Sequence, residues 1–264
     1  MLELNVILDL PMTRIISVSS GKGGVGKTTV TSNLGSALID FGFDALVLDA
    51  NITNANLGFH LGIPLYPTTL HDVLKDEAHL TEATYIHNSG LRVIPGSLSI
   101  DDLKDTSPSN IADVVMDIVG DPEIILIDSA AGLGNEATKT IEASDETIIV
   151  TTPDLPSVTD ALKTANVAEK AGTHILGIVL NKHSGGKHEL SPEEVEDMIE
   201  HPVLAVIPQN KLVPRSISEK TPIIDFRPEH HISERFRSLA ADIAGIDYEP
   251  KKQSIFSKIR EMFG

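Results

Sequence analysis

The sequence predicts an α/β fold, a mostly parallel sheet with helices on both faces, and two observations carry the prediction. Short apolar runs alternate with longer segments of helical periodicity. Several runs are nearly unbroken Val, Ile and Leu, as strands are when helices cover both faces of their sheet. A third observation bears on organisation: the 264 residues contain no internal repeat, and no Gly/Ser- or Pro-rich linker precedes residue 247. One domain spanning residues 1–248 is therefore expected.

The elements follow in order. Residues 1–11 precede the first core strand and read as an added strand, a flexible extension, or the product of a start codon upstream of Met12. Arg14–Ser19 is the first strand, carrying Ile15, Ile16 and Val18, and Lys27–Phe41 has the period of a helix. The apolar runs in Asp44–Asp49 and Leu91–Ile94 give the next two strands. A helix is expected over Pro108–Val119, then a strand over Glu123–Asp128, whose Ile-Ile-Leu-Ile run ends on an acid. Strand Glu146–Thr151, helix Leu155–Ala171 and strand His174–Asn181 follow. Helix Pro192–Glu200, strand Val203–Ile207 and helix His231–Ala244 complete the body. Residues 249–264 are expected to be a polar connector and a final amphipathic helix.

Composition narrows the functions. A hydrophobic fraction of 41% and a mean hydropathy of +0.04 exclude disorder throughout. No run approaches the ~18 uncharged apolar residues of a membrane span, and the first eleven residues lack the features of a signal peptide. With 38 acidic against 21 basic residues, the net charge of −17 argues against a broad nucleic-acid-binding face. The absence of cysteine excludes disulfides, thiolate zinc sites, iron–sulfur clusters and cysteine nucleophiles. A cytoplasmic protein is expected.

Between the first strand and the first helix lies Gly21-Lys22-Gly23-Gly24-Val25-Gly26-Lys27-Thr28, which fits G-x-x-x-x-G-K-[ST] in its proper context. Glycines let backbone N–H groups turn inward around phosphate oxygens, and the following helix adds its positive end. Lys27 would reach the β- and γ-phosphates, Thr28 would ligate Mg²⁺, and Thr29 would add a hydroxyl to the α-phosphate. ATP and Mg²⁺ are the cofactors these residues point to. The plain alternative is a glycine-rich turn without a ligand.

Lys22, early in the loop, makes KGGVGKT resemble the deviant Walker A motif of the MinD/ParA family of ATPases, and the whole most resembles its archaeal-type MinD branch. The resemblance implies a three-layer P-loop NTPase fold and an ATP-dependent homodimer. Lys22 would cross the interface to neutralise phosphate charge in the partner's site; otherwise it is a solvated loop lysine. Asp49-Ala-Asn51 through Asn56-Leu57 looks like the family's switch I, and Asp128 through Gly132 and Gly134 like its Walker B strand and switch II. Asp128 would then hold Mg²⁺ through water, and Gly132 would let its loop move. Asn181 matches the adenine-recognition Asn, and Pro208 lies in what resembles a second base-contacting loop. The missing cysteines remove the family's iron–sulfur relatives.

One position departs from the pattern: switch I usually reads D-x-D, and here its second acid is Asn51. Asn keeps the size and an acceptor but loses the charge, so it could place a water without acting as a base. Slow turnover, an ATP-locked binding module and an engineered trapping substitution are the alternatives this position offers. Asp49, still acidic, is a candidate for organising Mg²⁺ and water.

The C-terminal segment Ser254–Gly264, set on a helical wheel, gathers Ile255, Phe256, Ile259, Met262 and Phe263 within about 120°. From Lys251 onward four basic residues face one acid. A basic amphipathic helix ending an acidic protein is the pattern of a membrane-surface anchor, similar to the membrane-targeting helix of MinD; a helix docked on the core is the alternative. A MinD-like ATPase that dimerises on ATP and binds anionic lipid at the inner face of the cell membrane is expected. There it would position a regulatory or cargo protein, with no nucleic acid as partner. A ParA/Soj-like DNA-segregation ATPase and an ATP-dependent scaffold with little hydrolysis are the competing readings.

Overall fold

The computed structural model describes residues 13–63, 66–99 and 110–250. The chain runs β1 (Arg14–Ser20), α1 (Lys27–Asp40), β2 (Ala45–Asp49), α2 (Leu57–His60), α3 (Leu70–Leu74), α4 (Leu80–Ala83), β3 (Tyr85–Ile86) and β4 (Arg92–Ile94). It continues α5 (Ile111–Ile118), β5 (Ile124–Ala131), α6 (Asn135–Glu142), β6 (Glu146–Thr151), α7 (Leu155–Ala171) and β7 (His174–His183). The last elements among the described residues are α8 (Pro192–Ile199), β8 (Val203–Pro208), α9 (Leu212–Ser218), α10 (Ile223–Phe226) and α11 (His231–Ala244).

The strands form one sheet in the order β3-β4-β2-β5-β1-β6-β7-β8, parallel except where β3 pairs antiparallel with β4 at the edge. Successive side chains alternate between faces, and both faces are covered. Ile16, Val18, Val47, Leu126 and Val150 pack with Leu34, Leu38 and Phe236 of α1 and α11. Ile15, Leu46, Leu48, Ile125 and Ile127 point the other way, toward α3 and α5, while Ile149, Ile178 and Leu180 meet α7 and α8. That double burial is why the strands read as continuous apolar runs. The expected three layers and mostly parallel sheet are what is found.

Every strand and long helix of the sequence reading is present, with shifted ends. β5 runs three residues past Asp128, because small Ser129, Ala130 and Ala131 keep pairing with β1 as far as Ser20↔Ala131. β7 continues past Asn181 to His183, and the helix expected over Pro108–Val119 spans Ile111–Ile118 within the described residues. The sequence reading missed α2, α3, α4, α6, α9, α10 and β3, all of eight residues or fewer. Two helices carry their stops in sequence. Asp154 caps α7 by accepting from the Ser157 N–H at 3.1 Å, and Gly172 ends it in the left-handed region. Ser191 and Glu194 form a reciprocal capping box at α8.

The sheet order reverses about central β1, and in such sheets ligands bind beyond the carboxyl ends of the strands at that reversal. The phosphate-loop sequence begins one residue past the end of β1.

Candidate functional site

Loop 21–26 turns sharply from β1 into α1, and its glycines are needed sterically. A methyl at Gly21 would strike the carbonyl of Asp160 in α7, and Gly24 and Gly26 hold φ of +78° and +100°. Gly26 is the N-cap of α1 and contributes no capping side chain, so the first N–H groups of the helix remain available to an anion. Lys27, the first helical residue, is 7% exposed.

Burial pushes the Asp128 carboxyl up from its ordinary value, and the nearby Lys27 ammonium offsets this only in part. Two hydroxyls from α1 reach the same carboxylate: Thr28 Oγ1 donates to Oδ2 at 2.6 Å and Thr31 Oγ1 to Oδ1 at 3.4 Å. Thr28 and Asp128, expected to share a Mg²⁺ site, are therefore in contact although one hundred residues apart. A hydroxyl beside a carboxylate is the hard-oxygen pair that Mg²⁺ accepts, since it takes one or two protein ligands and completes its shell with phosphate and water. The residues fit that ion. Thr29 is buried, and its carbonyl accepts from Asn33 Nδ2 at 2.8 Å.

Asp49 stands level with Asp128 on the neighbouring strand. Complete burial and the Asp128 charge push its carboxyl up to about 8. Its oxygens accept the N–H groups of Asn51 at 3.3 Å, Asn56 at 3.0 Å and Leu57 at 2.9 Å, so it fixes the shape of loop 50–56. Asn51 sits half-buried on the wall of the groove, its Oδ1 accepting the Asn54 N–H at 3.3 Å. A residue the sequence reading missed joins this loop to the segment after β5. Glu136, in the first turn of α6, accepts both the N–H and the hydroxyl of Thr53 at 3.0 Å each. Nothing in the local sequence marks that pair, which is 83 residues apart.

Lys22 behaves differently from Lys27. Its Nζ lies 3.3 Å from Ser157 Oγ and 3.7 Å from Asp154 Oδ1, at the start of α7, with half its side chain exposed. Desolvation would raise the Asp154 carboxyl, but the Thr152 and Ser157 hydroxyls, the Ser157 N–H and Lys22 outweigh it and hold it low. The two loop lysines thus face different ways.

Residues from the loop, the switch-like segments and the ends of β7 and β8 enclose a groove of about 1560 Å³, larger than the roughly 300–1,000 Å³ typical of small-molecule sites. Gly23, Gly24, Lys27, Thr28, Asn181 and Pro208 are all among the residues that line it. Asn181 is buried against the loop, its Nδ2 donating to the Val25 carbonyl at 2.7 Å. His60 also lines the groove, and burial pushes its imidazole down to about 4. Near the C-terminus, Tyr248 packs edge-to-face on Phe41 and donates to Glu234 at 2.7 Å, pinning the start of the connector to α1 and α11. Residues 1–11, and Ile255, Phe256, Ile259, Met262 and Phe263 of the expected anchor, lie outside the described residues. Among the described residues no helix is long and apolar enough to cross a membrane.

A family model described as the CobQ/CobB/MinD/ParA nucleotide binding domain matches residues 16–223. An ATP-binding protein of Methanocaldococcus jannaschii, described as uncharacterized, is 36% identical over 258 residues, covering 96% of this chain and 98% of that one. The septum site-determining protein MinD of Thermotoga maritima is 30% identical over 245 residues, 89% of each chain. The structure of the septum site-determining protein MinD complexed with Mg-ADP, from Pyrococcus horikoshii, matches with a TM-score of 0.85 and 37% identity, covering 88% of this chain and 96% of that one.

Proposed function

The chain belongs to the CobQ/CobB/MinD/ParA nucleotide-binding family, and from that premise we propose that it is a MinD-like ATPase that dimerises on ATP, settles on the membrane surface and positions a partner protein. The observation that carries this reading is the divergence of the two loop lysines. Lys27 is buried at the base of its own phosphate loop, whereas Lys22 leaves the loop for a half-exposed perch on α7.

In this reading the inward N–H groups of residues 23–29 and the Lys27 ammonium bind the phosphates of ATP. Thr28 and Asp128 hold Mg²⁺, which when bound would neutralise phosphate charge. Asn181 and Pro208 contact the base, as the family resemblance implies. Asp49 keeps loop 50–56 in shape, and Asn51 places the attacking water without accepting its proton, so turnover is slow. Lys22, supplied by each protomer to its partner, stabilises charge on the transferring phosphoryl group. Phosphoryl transfer depends on such positioning and electrostatics, so hydrolysis survives the loss of an acid at position 51.

The anchor is residues 254–264. One short helix binds a bilayer marginally, but two on one dimer make the second insertion intramolecular. ATP thereby places the protein at the inner face of the membrane, and hydrolysis returns it to the cytoplasm. The net charge of −17 argues against the DNA-bound alternative. Phosphate release measured with and without anionic vesicles tests the catalytic half: slow release that rises with vesicles is expected. ATP binding with no release under either condition would replace the enzyme with an ATP-dependent scaffold.

A further inference from the structure

The loop that carries Asn51 is gripped at one peptide group from two sides. Residues 51–54 make a tight turn, closed by the Asn54 N–H donating to the Asn51 carbonyl at 3.2 Å and to Asn51 Oδ1 at 3.3 Å. The middle of that turn is the peptide joining Ile52 to Thr53. Its carbonyl faces inward, where Nε2 of the wholly buried His71 in α3 meets the Ile52 oxygen at 3.0 Å. The other ring nitrogen, Nδ1, accepts the Ser97 N–H at 3.0 Å, so the ring proton stands on Nε2 and is donated to Ile52. The N–H of the same peptide faces outward, to the Glu136 carboxylate at 3.0 Å, and the second oxygen of that carboxylate takes the Thr53 hydroxyl at 3.0 Å. A trans peptide points its carbonyl and its N–H in opposite directions, which is why partners from two different elements can hold one group.

We propose that Glu136 is a positioning residue for hydrolysis, clamping with His71 the central peptide of turn 51–54 and so fixing how Asn51 faces the groove. Asp49 secures the ends of the loop through the N–H groups of Asn51, Asn56 and Leu57, and His71 and Glu136 secure its tip. The tip needs the help: Thr53 and Asn54 are exposed, and a turn closed by its own bonds in an exposed loop opens at little cost. Bonds to an ionised carboxylate are about twice as strong as neutral ones, and two of them converge on Thr53. Glu136 sits in the first turn of α6, so the tie also sets the loop after β2 against the segment after β5. Its role is indirect. It acts through Thr53 on Asn51, and the inference rests on the proposal that Asn51 places the attacking water.

The experiment compares the full chain with Glu136→Ala, Thr53→Val and the double variant. Amide hydrogen exchange without nucleotide reads the clamp, calorimetry with Mg-ATP reads affinity, and phosphate release on anionic vesicles reads turnover. Glu136→Ala should speed exchange of the Thr53 N–H about tenfold or more, since a bond to a charged group is lost. Phosphate release should fall about tenfold while Mg-ATP affinity changes by less than about twofold, because the lost bonds hold a turn and not a phosphate. Thr53→Val removes the hydroxyl and leaves α6 untouched, so a fall in release there too separates the tie from any effect on the helix. The double variant should do no more than Glu136→Ala alone, as expected of two residues acting through one contact. Unchanged exchange or release in Glu136→Ala, a loss of affinity as large as the loss of turnover, or single effects that multiply in the double variant would refute the positioning role. A wild-type chain that binds Mg-ATP and releases no phosphate would overturn the reading of Asn51, and the role of Glu136 with it; the exchange rates, taken without nucleotide, tell that failure from a failure of the clamp.

Discussion

Replacing Lys22 with alanine separates a cation that serves its own site from one that serves a neighbour's. In the monomer Lys22 contributes little: a 3.7 Å pair with Asp154 whose side chains are 50% and 47% exposed. Exposed pairs of this kind are worth about 0.2–1 kcal/mol. Lys22→Ala should therefore lower the thermal midpoint by no more than ~4 °C and leave monomer affinity for Mg-ATP unchanged. Across a closed dimer the same ammonium would sit desolvated against phosphate. Removing one partner of such a charge pair costs about 2–5 kcal/mol, so ATP-dependent dimerisation should weaken about 30-fold or more. Turnover should fall at least as far, since a cation supplied in trans to the transferring phosphoryl group is worth about 10³–10⁵. Calorimetry gives the nucleotide affinity, light scattering the mass, and phosphate release the turnover. A loss of ATP affinity equal to that of Lys27→Ala, or a dimer that forms as before, would refute the trans role.

Three further outcomes are expected. Lys27→Ala should abolish Mg-ATP binding by calorimetry, because it removes the buried cation of the loop and leaves the Asp128 carboxyl without the charge that draws it down. Asn51→Asp should raise phosphate release in the presence of vesicles or the activating partner, since Asp can still accept the Asn54 N–H that Asn51 Oδ1 accepts now while restoring a charge; unchanged or lower release would show that position 51 does not limit turnover. His60, pushed down to about 4 by burial, stays neutral in the fold while the unfolded chain takes up that proton below about pH 6.5. Its contribution is thus whole above pH 6.5 and lost as pH falls toward 4. Urea melts should show wild type losing ~2–3 kcal/mol relative to His60→Gln between pH 7 and 4.5, and parallel curves would contradict the assignment.

The parallel strands were legible because burial on both faces leaves no alternation to misread: β2 is Ala-Leu-Val-Leu-Asp and β5 opens with Ile-Ile-Leu-Ile. α7 was legible to its last residue because Asp154 and Gly172 punctuate it. The short elements were not. α2, α4 and α10 have four residues each, too few for a helical period to repeat, and β3 has two. α6 went unread because only Ala137, Thr140 and Ile141 are buried in it. At the site, the phosphate-loop motif and Asn181 were legible and line the groove, whereas Asp49 and Asp128 are buried beneath it and β5 and β7 run on past Asp128 and Asn181. The Thr53–Glu136 link and the carbonyl contacts of Asn181 and Lys182 arise between distant segments, and no local pattern encodes them.

Co-sedimentation of the full chain with anionic vesicles, in Mg-ATP, in Mg-ADP and without nucleotide, reaches the central claim most directly. Burial of Ile255, Phe256, Ile259, Met262 and Phe263 should dominate attachment, with each nearby Lys or Arg adding about 1 kcal/mol. The protein should pellet with vesicles in ATP alone. Deleting residues 254–264 or making Phe256→Glu should abolish pelleting without changing ATP affinity, and high salt should weaken it only in part. Binding that ignores the nucleotide, or that survives the deletion, would contradict an ATP-driven membrane switch.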